Sequence, residues 1–308
     1  MSGPGLDSGR PRAVRTAVFP VAGLGTRMLP MTRAVPKEMI PVFDRPLIQY
    51  AVEEAIAAGI SDLVFVTDRS GPMLESHFGP SPELAGKIET GPGGERLDAA
   101  RALVPGNVRF QFVPQGRPLG LGHAVWCARE AVGDAPFAVV LPDDLMVPGA
   151  LGELVDAFHA RGAAGVVAVE EVPRRDTARY GVVDSGGDAG RVSRIASIVE
   201  KPDPADAPSN LAVVGRYVFD ASIMDHLGAV PPGAGGEIQL TDAIAVLARS
   251  EPVYASRFDG ERHDCGNRAG WLRATVALAL AGAAPEDGYA GEIRSLLESW
   301  PAAGGSGR

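Results

Sequence analysis

The amino-acid sequence predicts an α/β fold with a mostly parallel central sheet. Its composition is that of a chain with a core: 45% of the 308 residues are hydrophobic and 22% are charged. Its 39 Gly and 26 Pro stay below the combined share of about 25–30% that marks low-complexity chains. Through the first half, short apolar runs alternate with helical patterns, which is the mark of βαβ units and therefore of parallel strands. The second half carries more strands per helix, so the sheet should become mixed there or acquire a small additional β layer.

The first strand is Thr16-Ala-Val-Phe-Pro-Val-Ala22, which passes directly into a glycine-containing loop. From Leu47 the apolar residues Leu47, Ile48, Ala51, Val52, Ala55 and Ile56 recur at helical spacing. Gln49, Glu53 and Glu54 fall on the opposite face, and Gly59 stands where a helix C-cap belongs. Asp62 to Thr67 is a buried strand by composition. Further strands are expected at Val108 to Val113, Phe137 to Leu141, Gly165 to Val169, Arg191 to Glu200, Leu211 to Phe219 and Val253 to Phe258. Helices are expected at Gly122 to Ala131, Ala150 to His159, Ile238 to Arg249 and Asn267 to Leu280, and the Gly/Pro-rich stretch Gly79 to Gly94 reads as an insertion loop.

Charge and cysteine usage narrow the function classes. A formal net charge of −9 argues against a nucleic-acid coat, so no nucleic-acid partner is expected. Cys127 and Cys265 have no C-x-x-C spacing and suggest neither a disulfide framework nor a zinc ribbon; a reducing, cytoplasmic setting is the simpler home. No apolar run approaches the ~18 residues of a membrane span, since the longest candidate, Ala274 to Ala284, is bounded by Arg273 and Pro285. No membrane partner is expected. Residues 1–15 lack an apolar signal-peptide region and read as a disordered leader, residues 301–308 as a flexible tail, and residues 16–300 as one catalytic domain.

Four groups of residues could carry chemistry. Val21-Ala-Gly-Leu-Gly-Thr-Arg27 closes the first strand, and Pro36-Lys-Glu-Met39 follows. Small residues there let backbone N–H groups approach a phosphate chain, while Arg27 and Lys37 could neutralise it. The loop is neither a dinucleotide fingerprint nor a P-loop: Gly23-x-Gly25 lacks a third Gly, Leu29-Pro30 cannot open a helix, and no G-x-x-x-x-G-K-[ST] occurs. Leu141-Pro-Asp143-Asp144 ends a strand in adjacent carboxylates, well placed for Mg²⁺ or equally for an ordinary turn, with distant Asp264 a possible partner. Gln115 and the glycines up to Gly120 form a loop into a helix, and a primary amide offers a base both a donor and an acceptor. Val199-Glu200-Lys201-Pro202 ends a strand in a sugar-hydroxyl acceptor and a phosphate point charge, or in a solvated ion pair. The five histidines are scattered, and neither a G-x-S-x-G elbow nor a His-Pro-His sequence appears, so any group transfer should be direct.

In this order the groups closely resemble the bacterial UTP:glucose-1-phosphate uridylyltransferases, or UDP-glucose pyrophosphorylases, of the sugar-phosphate nucleotidylyltransferase superfamily. The resemblance also covers Pro46-Leu-Ile-Gln-Tyr50, Gly120-Leu-Gly-His-Ala124, Tyr180-Gly-Val-Val183, Pro208-Ser-Asn-Leu-Ala212, Gly236-Glu-Ile-Gln-Leu-Thr-Asp-Ala-Ile244 and His263-Asp-Cys-Gly-Asn267. It implies a Rossmann-like nucleotidyltransferase fold, a mostly parallel mixed sheet flanked by helices with a small extra β layer. It implies that Ala22, Gly23, Gly25, Thr26, Arg27 and Lys37 bind the nucleotide, that Gln115 and Gly120 read uracil, and that Gly181, Glu200 and Lys201 bind the sugar phosphate. Asp143 and Asp264 would be the Mg²⁺ carboxylates, with Arg27, Lys37, Asp143 and Lys201 carrying catalysis and Glu237, Gln239, Thr241 and Asp242 supporting the sugar side. UTP and glucose 1-phosphate would be the substrates of a homodimer or homotetramer. Met28, Met31 and Arg33 depart from the family pattern, as does Gly79 to Gly94, but none replaces a named ligand. Three alternatives stand beside this reading: a pyrophosphorylase of the same fold for dTTP, ATP or GTP, or for another sugar or cyclitol phosphate; a regulatory module that binds UDP-sugars without turnover; and a UDP-sugar glycosyltransferase, which the Gly-Leu-Gly-Thr-Arg27 and Pro-Lys-Glu-Met39 pairing suits less well than it suits a triphosphate.

Overall fold

A computed structural model describes residues 12–68, 70–79, 104–281 and 288–299. The chain is packed two residues ahead of the first strand: Val14 is buried, and the Arg15 carbonyl accepts the N–H groups of Ser61 and Asp62. In chain order the elements are β1 (Thr16–Pro20), β2 (Pro41–Val42), β3 (Arg45–Pro46), α1 (Leu47–Ala57), β4 (Asp62–Thr67), α2 (Gly71–Phe78), β5 (Arg109–Pro114), α3 (Leu121–Cys127) and α4 (Arg129–Val132). Next come β6 (Phe137–Val140), β7 (Asp144–Val147), α5 (Leu151–Arg161), β8 (Gly165–Glu171), β9 (Gly181–Asp184), β10 (Val192–Arg194), β11 (Ser197–Glu200) and β12 (Leu211–Phe219). The last are α6 (Ile223–Ala229), α7 (Leu240–Ser250), β13 (Val253–Arg257), β14 (Glu261–Asp264), α8 (Arg268–Ala281) and α9 (Tyr289–Ser299).

The strands form one mixed sheet in the order β10-β13-β8-β12-β6-β1-β4-β5, with β9 and β11 attached at β12. Strands β6, β1, β4 and β5 are mutually parallel, so the loops that follow them gather on one edge, where ligands of α/β sheets sit. Strand β12 runs antiparallel to both β6 and β8 and outlasts β6: Arg216 to Phe219 pair with β6, whereas Leu211 and Ala212 pair with β9. Between these two partners its ladder to β8 shifts register, from Val213 to Tyr217. A fork therefore opens where β6 stops: the Leu141 N–H still donates to the Gly215 carbonyl of β12, and Pro142 and Asp143 leave the sheet through it. The ribbons β7-β14 and β2-β3 supply the small extra layer.

Side chains alternate across the strands and build a core on each face. Val18, Val64, Val139 and Val167 meet α3, α6 and α7, while Ala17, Phe19, Phe65 and Val166 meet α1 and α5. Phe65 sits at the centre of the second core, stacked with Phe19, Phe78, Phe110 and Phe112. One charged pair is buried in the sheet. Arg216, within the fully buried β12, donates through Nε and Nη2 to Glu54 Oε2 and through Nη1 to the carbonyls of Leu141 and Gly215, at 2.7–3.0 Å. Glu54 Oε1 in turn accepts the N–H groups of Ala150 and Leu151 at the start of α5.

The expected strand from Arg191 to Glu200 is two strands. The chain changes partner at Ile195 and Ala196, from β13 to β9, and the buried Ile195 keeps the apolar pattern running through the turn. The helix expected from Gly122 to Ala131 divides at Ala128 into α3 and α4. Strands β2, β3, β7, β9 and β14 and helices α2, α6 and α9 lie outside the elements expected from the sequence. Apart from Gly79, the insertion loop lies outside the described residues, as do residues 1–11 and 301–308.

Candidate active site

The loop after β1 is anchored by the Val21 N–H, which donates to the Val66 carbonyl on β4. Gly25 then takes a left-handed conformation, φ 62°, that folds the loop over the Lys37 turn. A Cβ there would lie 2.9 Å from Thr32 Cγ2 and 3.1 Å from Lys37 Cβ, so only glycine fits. The Thr32 hydroxyl locks the fold by donating to the Gly25 carbonyl at 2.8 Å. Lys37 passes beside Gly23 and donates through Nζ to Asp143 Oδ2 at 2.6 Å. Burial pulls the Lys37 ammonium down, but the Asp143 charge and hydrogen bond outweigh it and the pKa ends above the ordinary lysine value. Burial likewise pushes Asp143 up, and Lys37, helped by Arg27, overcomes it and holds the carboxyl below the ordinary aspartate range.

Asp143, Asp144 and Asp264 come together because β7 and β14 pair with Asp144 opposite Asp264, while the Cys265 N–H donates to the Asp143 carbonyl. The point of convergence is Gly266. A Cβ built there would lie 3.0 Å from Asp143 Oδ2, 3.1 Å from Asp264 Oδ1 and 3.0 Å from an Arg27 Nη atom. Each acid is met by its own cation: Lys37 for Asp143, Arg262 for Asp144 at 2.5 Å and Arg179 for Asp264 at 2.7 Å. Arg262 is the most enclosed of the three, since it also donates to Glu170 and the Tyr180 hydroxyl. Burial raises Asp144 more than Arg262 lowers it, and it lies against Gly215, whose missing side chain makes the room. Burial and the three surrounding acids push the Cys265 thiol up to about 12.

The residues expected on the sugar side come from the β9–β11 hairpin, in which Glu200 pairs with Gly181. Glu200 is held at both oxygens, by the Thr241 hydroxyl at 2.7 Å and by Lys201 Nζ at 3.0 Å. Lys201 has a positive φ of 45°, uncommon for a residue with a side chain, stabilised by its N–H bond to the Tyr180 carbonyl. Gly181 has no space for a Cβ, which would sit 2.9 Å from Thr241 Oγ1. These residues and the acids line one cavity of about 580 Å³, shared with Arg27, Arg179, Glu237, Gln239 and Tyr217.

Of the expected site residues, Arg27, Asp143, Gly181, Glu200, Lys201 and Asp264 line this cavity, and Lys37 reaches it through Asp143. Ala22, Gly23, Gly25, Thr26, Gln115 and Gly120 do not line it and stand in the loops after β1 and β5. Gln115 Nε2 donates to the Gly120 carbonyl at 3.2 Å and also meets His123 Nδ1, at 3.3 Å. Gly120 has φ 103° and lies against Glu237 and Ile238, which joins this loop to the cavity wall. Asp242 turns away beneath Gly233. Arg179, Arg262, Gly215 and Gly266 were missed as site residues. Gly266 lay inside a recognised block, whereas the arginines carried no local signal.

No group of three or more His, Cys, Asp or Glu side chains able to hold a metal occurs among the described residues. The two converging carboxylates nevertheless fit Mg²⁺, a hard cation that takes one or two carboxylates and completes its shell with water and substrate phosphates. No helix of the described residues is long and apolar enough to cross a membrane.

The family model for nucleotidyl transferases matches residues 17–279. A UTP–glucose-1-phosphate uridylyltransferase from Haemophilus influenzae is 48% identical over 86% of this chain and 92% of its own length. One from Bacillus subtilis is 44% identical over 87% and 92%. A UTP-bound UGPase from Acinetobacter baumannii superposes with a TM-score of 0.84 at 40% identity, covering 93% of this chain and 99% of that one. The chain belongs to the nucleotidyl transferases and, among them, to the UTP–glucose-1-phosphate uridylyltransferases.

Proposed function

We propose that the protein transfers the uridylyl group of UTP to α-D-glucose 1-phosphate, giving UDP-glucose and pyrophosphate. The observation that carries this reading is the convergence at Gly266, where two carboxylates and Arg27 approach one point on a cavity that also holds Lys201 and Glu200. Acids for a cation, cations for phosphates and an acceptor for hydroxyls are what a nucleoside triphosphate and a sugar phosphate require together. The names of the matched relatives and the UTP-bound neighbour support the same pair of substrates.

A phosphate oxygen of the sugar phosphate attacks the α-phosphorus of UTP in line. The new P–O bond forms as the bond from the α-phosphorus to the bridging oxygen breaks, and pyrophosphate leaves on the opposite side. Positioning and charge cancellation dominate such transfers, so no covalent enzyme intermediate is needed. The backbone of Ala22, Gly23, Gly25 and Thr26 cradles the triphosphate, with Arg27 and Lys37 supplying charge. Gln115 and Gly120 read the base, Gly181 and Glu200 the sugar hydroxyls, and Lys201 clamps the sugar phosphate. Asp143 and Asp264 would hold Mg²⁺, which when bound would supply charge neutralisation for the phosphates. The protein works as a homodimer or homotetramer in the cytoplasm.

The test is pyrophosphate release with Mg²⁺, crossing UTP, dTTP, ATP, GTP and CTP with glucose 1-phosphate and other sugar 1-phosphates. The expected outcome is a clear preference for UTP with glucose 1-phosphate. Preference for another pair would redirect the specificity, and no release with any pair would leave a binding module.

A further inference from the structure

The three acids of the cavity differ in how firmly their cations are held. Arg262 is nearly buried and donates to two carboxylates and a hydroxyl, which makes it a fixed part of the wall. Lys37 is mostly buried against Asp143. Arg179 is different: its side chain is 50% exposed, and Asp264 Oδ2 is its sole hydrogen-bond acceptor among the described residues. It closes the short 3-10 turn Arg174–Arg179, and its guanidinium rests over the Tyr180 ring at 5.4 Å. Asp264 has its other oxygen on the Gly266 N–H, at the place where Asp143 and Arg27 converge.

We propose that Arg179 is a substrate-binding residue that exchanges partners, from the Asp264 carboxylate to a phosphate of the substrates, when Asp264 takes up the divalent cation. The proposal rests on the metal role of Asp264 given above. A guanidinium and a divalent cation compete for the same carboxylate, and a half-exposed single contact is given up at little cost. The displaced guanidinium still faces the cavity, whose wall also carries Lys201 and Arg27. Its planar fork suits phosphate oxygens as well as carboxylate oxygens, so the exchange replaces one charged hydrogen bond by another. Arg179 thereby couples arrival of the metal to capture of phosphate.

The coupling predicts effects of opposite sign in one variant. Arg179→Gln removes the competitor, so Mn²⁺ alone, titrated against the full-length unliganded protein and followed by the paramagnetic resonance of the free ion, should bind roughly two- to five-fold more tightly, the scale of a lost exposed ion pair. The same variant should lose at least about tenfold in kcat/KM, a differential worth roughly one pKa unit of electrostatic interaction, and Arg179→Lys should recover part of it. Unchanged or weaker Mn²⁺ binding, or unimpaired kcat/KM, would overturn the proposal. A merely supporting role for Arg179 predicts weaker Mn²⁺ binding. Asp264→Asn separates the two levels: if it leaves Mn²⁺ affinity intact, the metal assignment fails and the proposal with it. If Asp264→Asn weakens Mn²⁺ binding while Arg179→Gln does not change it, only the exchange fails.

Discussion

Lys37 and Asp143 keep each other ionised, and the signs of their shifts define where that matters. Asp143 is depressed, so its contribution to stability is present above the ordinary aspartate range and is lost as pH falls through its lowered value. Lys37 is raised, so its contribution is complete below the ordinary lysine value and is lost only as pH climbs through its elevated one. Across neutral pH the pair is therefore constant. Asp143→Asn should lower turnover by roughly 10²–10³-fold, the scale of removing one electrostatic contact from a transition state. It should also cost about 1–3 kcal/mol, because the mostly buried Lys37 is left without its charged acceptor. In urea titrations that stability difference should be flat around neutrality and shrink at acid pH. On the proposed assignments fold and activity are coupled at this residue, a link invisible in the sequence, where Asp143 is a strand-end acid 106 positions from Lys37. Asp143, Lys37 and Lys201 stood out because they lie in short blocks next to glycine or proline, whose backbone demands leave a local trace. Arg179 and Arg262 act on acids 85 and 118 positions away, and nothing near them in the chain marks that use.

Among the elements, the buried pair Arg216–Glu54 ties together four pieces of backbone: α1, the first turn of α5, the end of β6 and the middle of β12. Removing one partner of a buried pair leaves the other charge uncompensated, so Glu54→Ala should destabilise by about 3–5 kcal/mol. Denaturant unfolding measures that loss, and a change within 1 kcal/mol, roughly what an exposed pair is worth, would mean that Arg216 finds other acceptors. The expected strands and helices were legible where an apolar run is continuous, as in β4, which is buried on both faces, or where an apolar stripe keeps its period, as in α1. They were not legible in β7 and β14, four residues each, whose function is to join Asp144 to Asp264 and whose letters include the charges that do so. Arg216 runs against its surroundings, an arginine in a strand buried at all nine positions. Only the tertiary partner Glu54, on a helix face that reads as exposed, explains it.

At the scale of the molecule, the two cores are separated by the sheet, and Phe65 is the residue against which four other aromatic rings of the second core stack. Phe65→Ala should reduce global stability by about 3–5 kcal/mol. The substrate KM values should be unchanged at temperatures where the variant is folded, because Phe65 is not among the residues lining the cavity. Shifted KM values would show that the aromatic core sets the geometry of the first loops. The fold class was legible because the alternation of elements survives in single residues, whereas the cavity is a product of topology: β6 ends, β12 continues, and β9 takes its place.

That handover gives the molecule two banks with one strand as the bridge. The loops after β1 and β5 belong to one bank and the β9–β11 hairpin to the other, and among the described residues the strand pairing that connects them runs through β12. On the proposed assignments, the base is read on the first bank and the sugar on the second. A lineage built on this plan can therefore alter the hairpin and adopt a new sugar while leaving its choice of nucleotide untouched, so the two halves of its specificity are free to evolve at different rates.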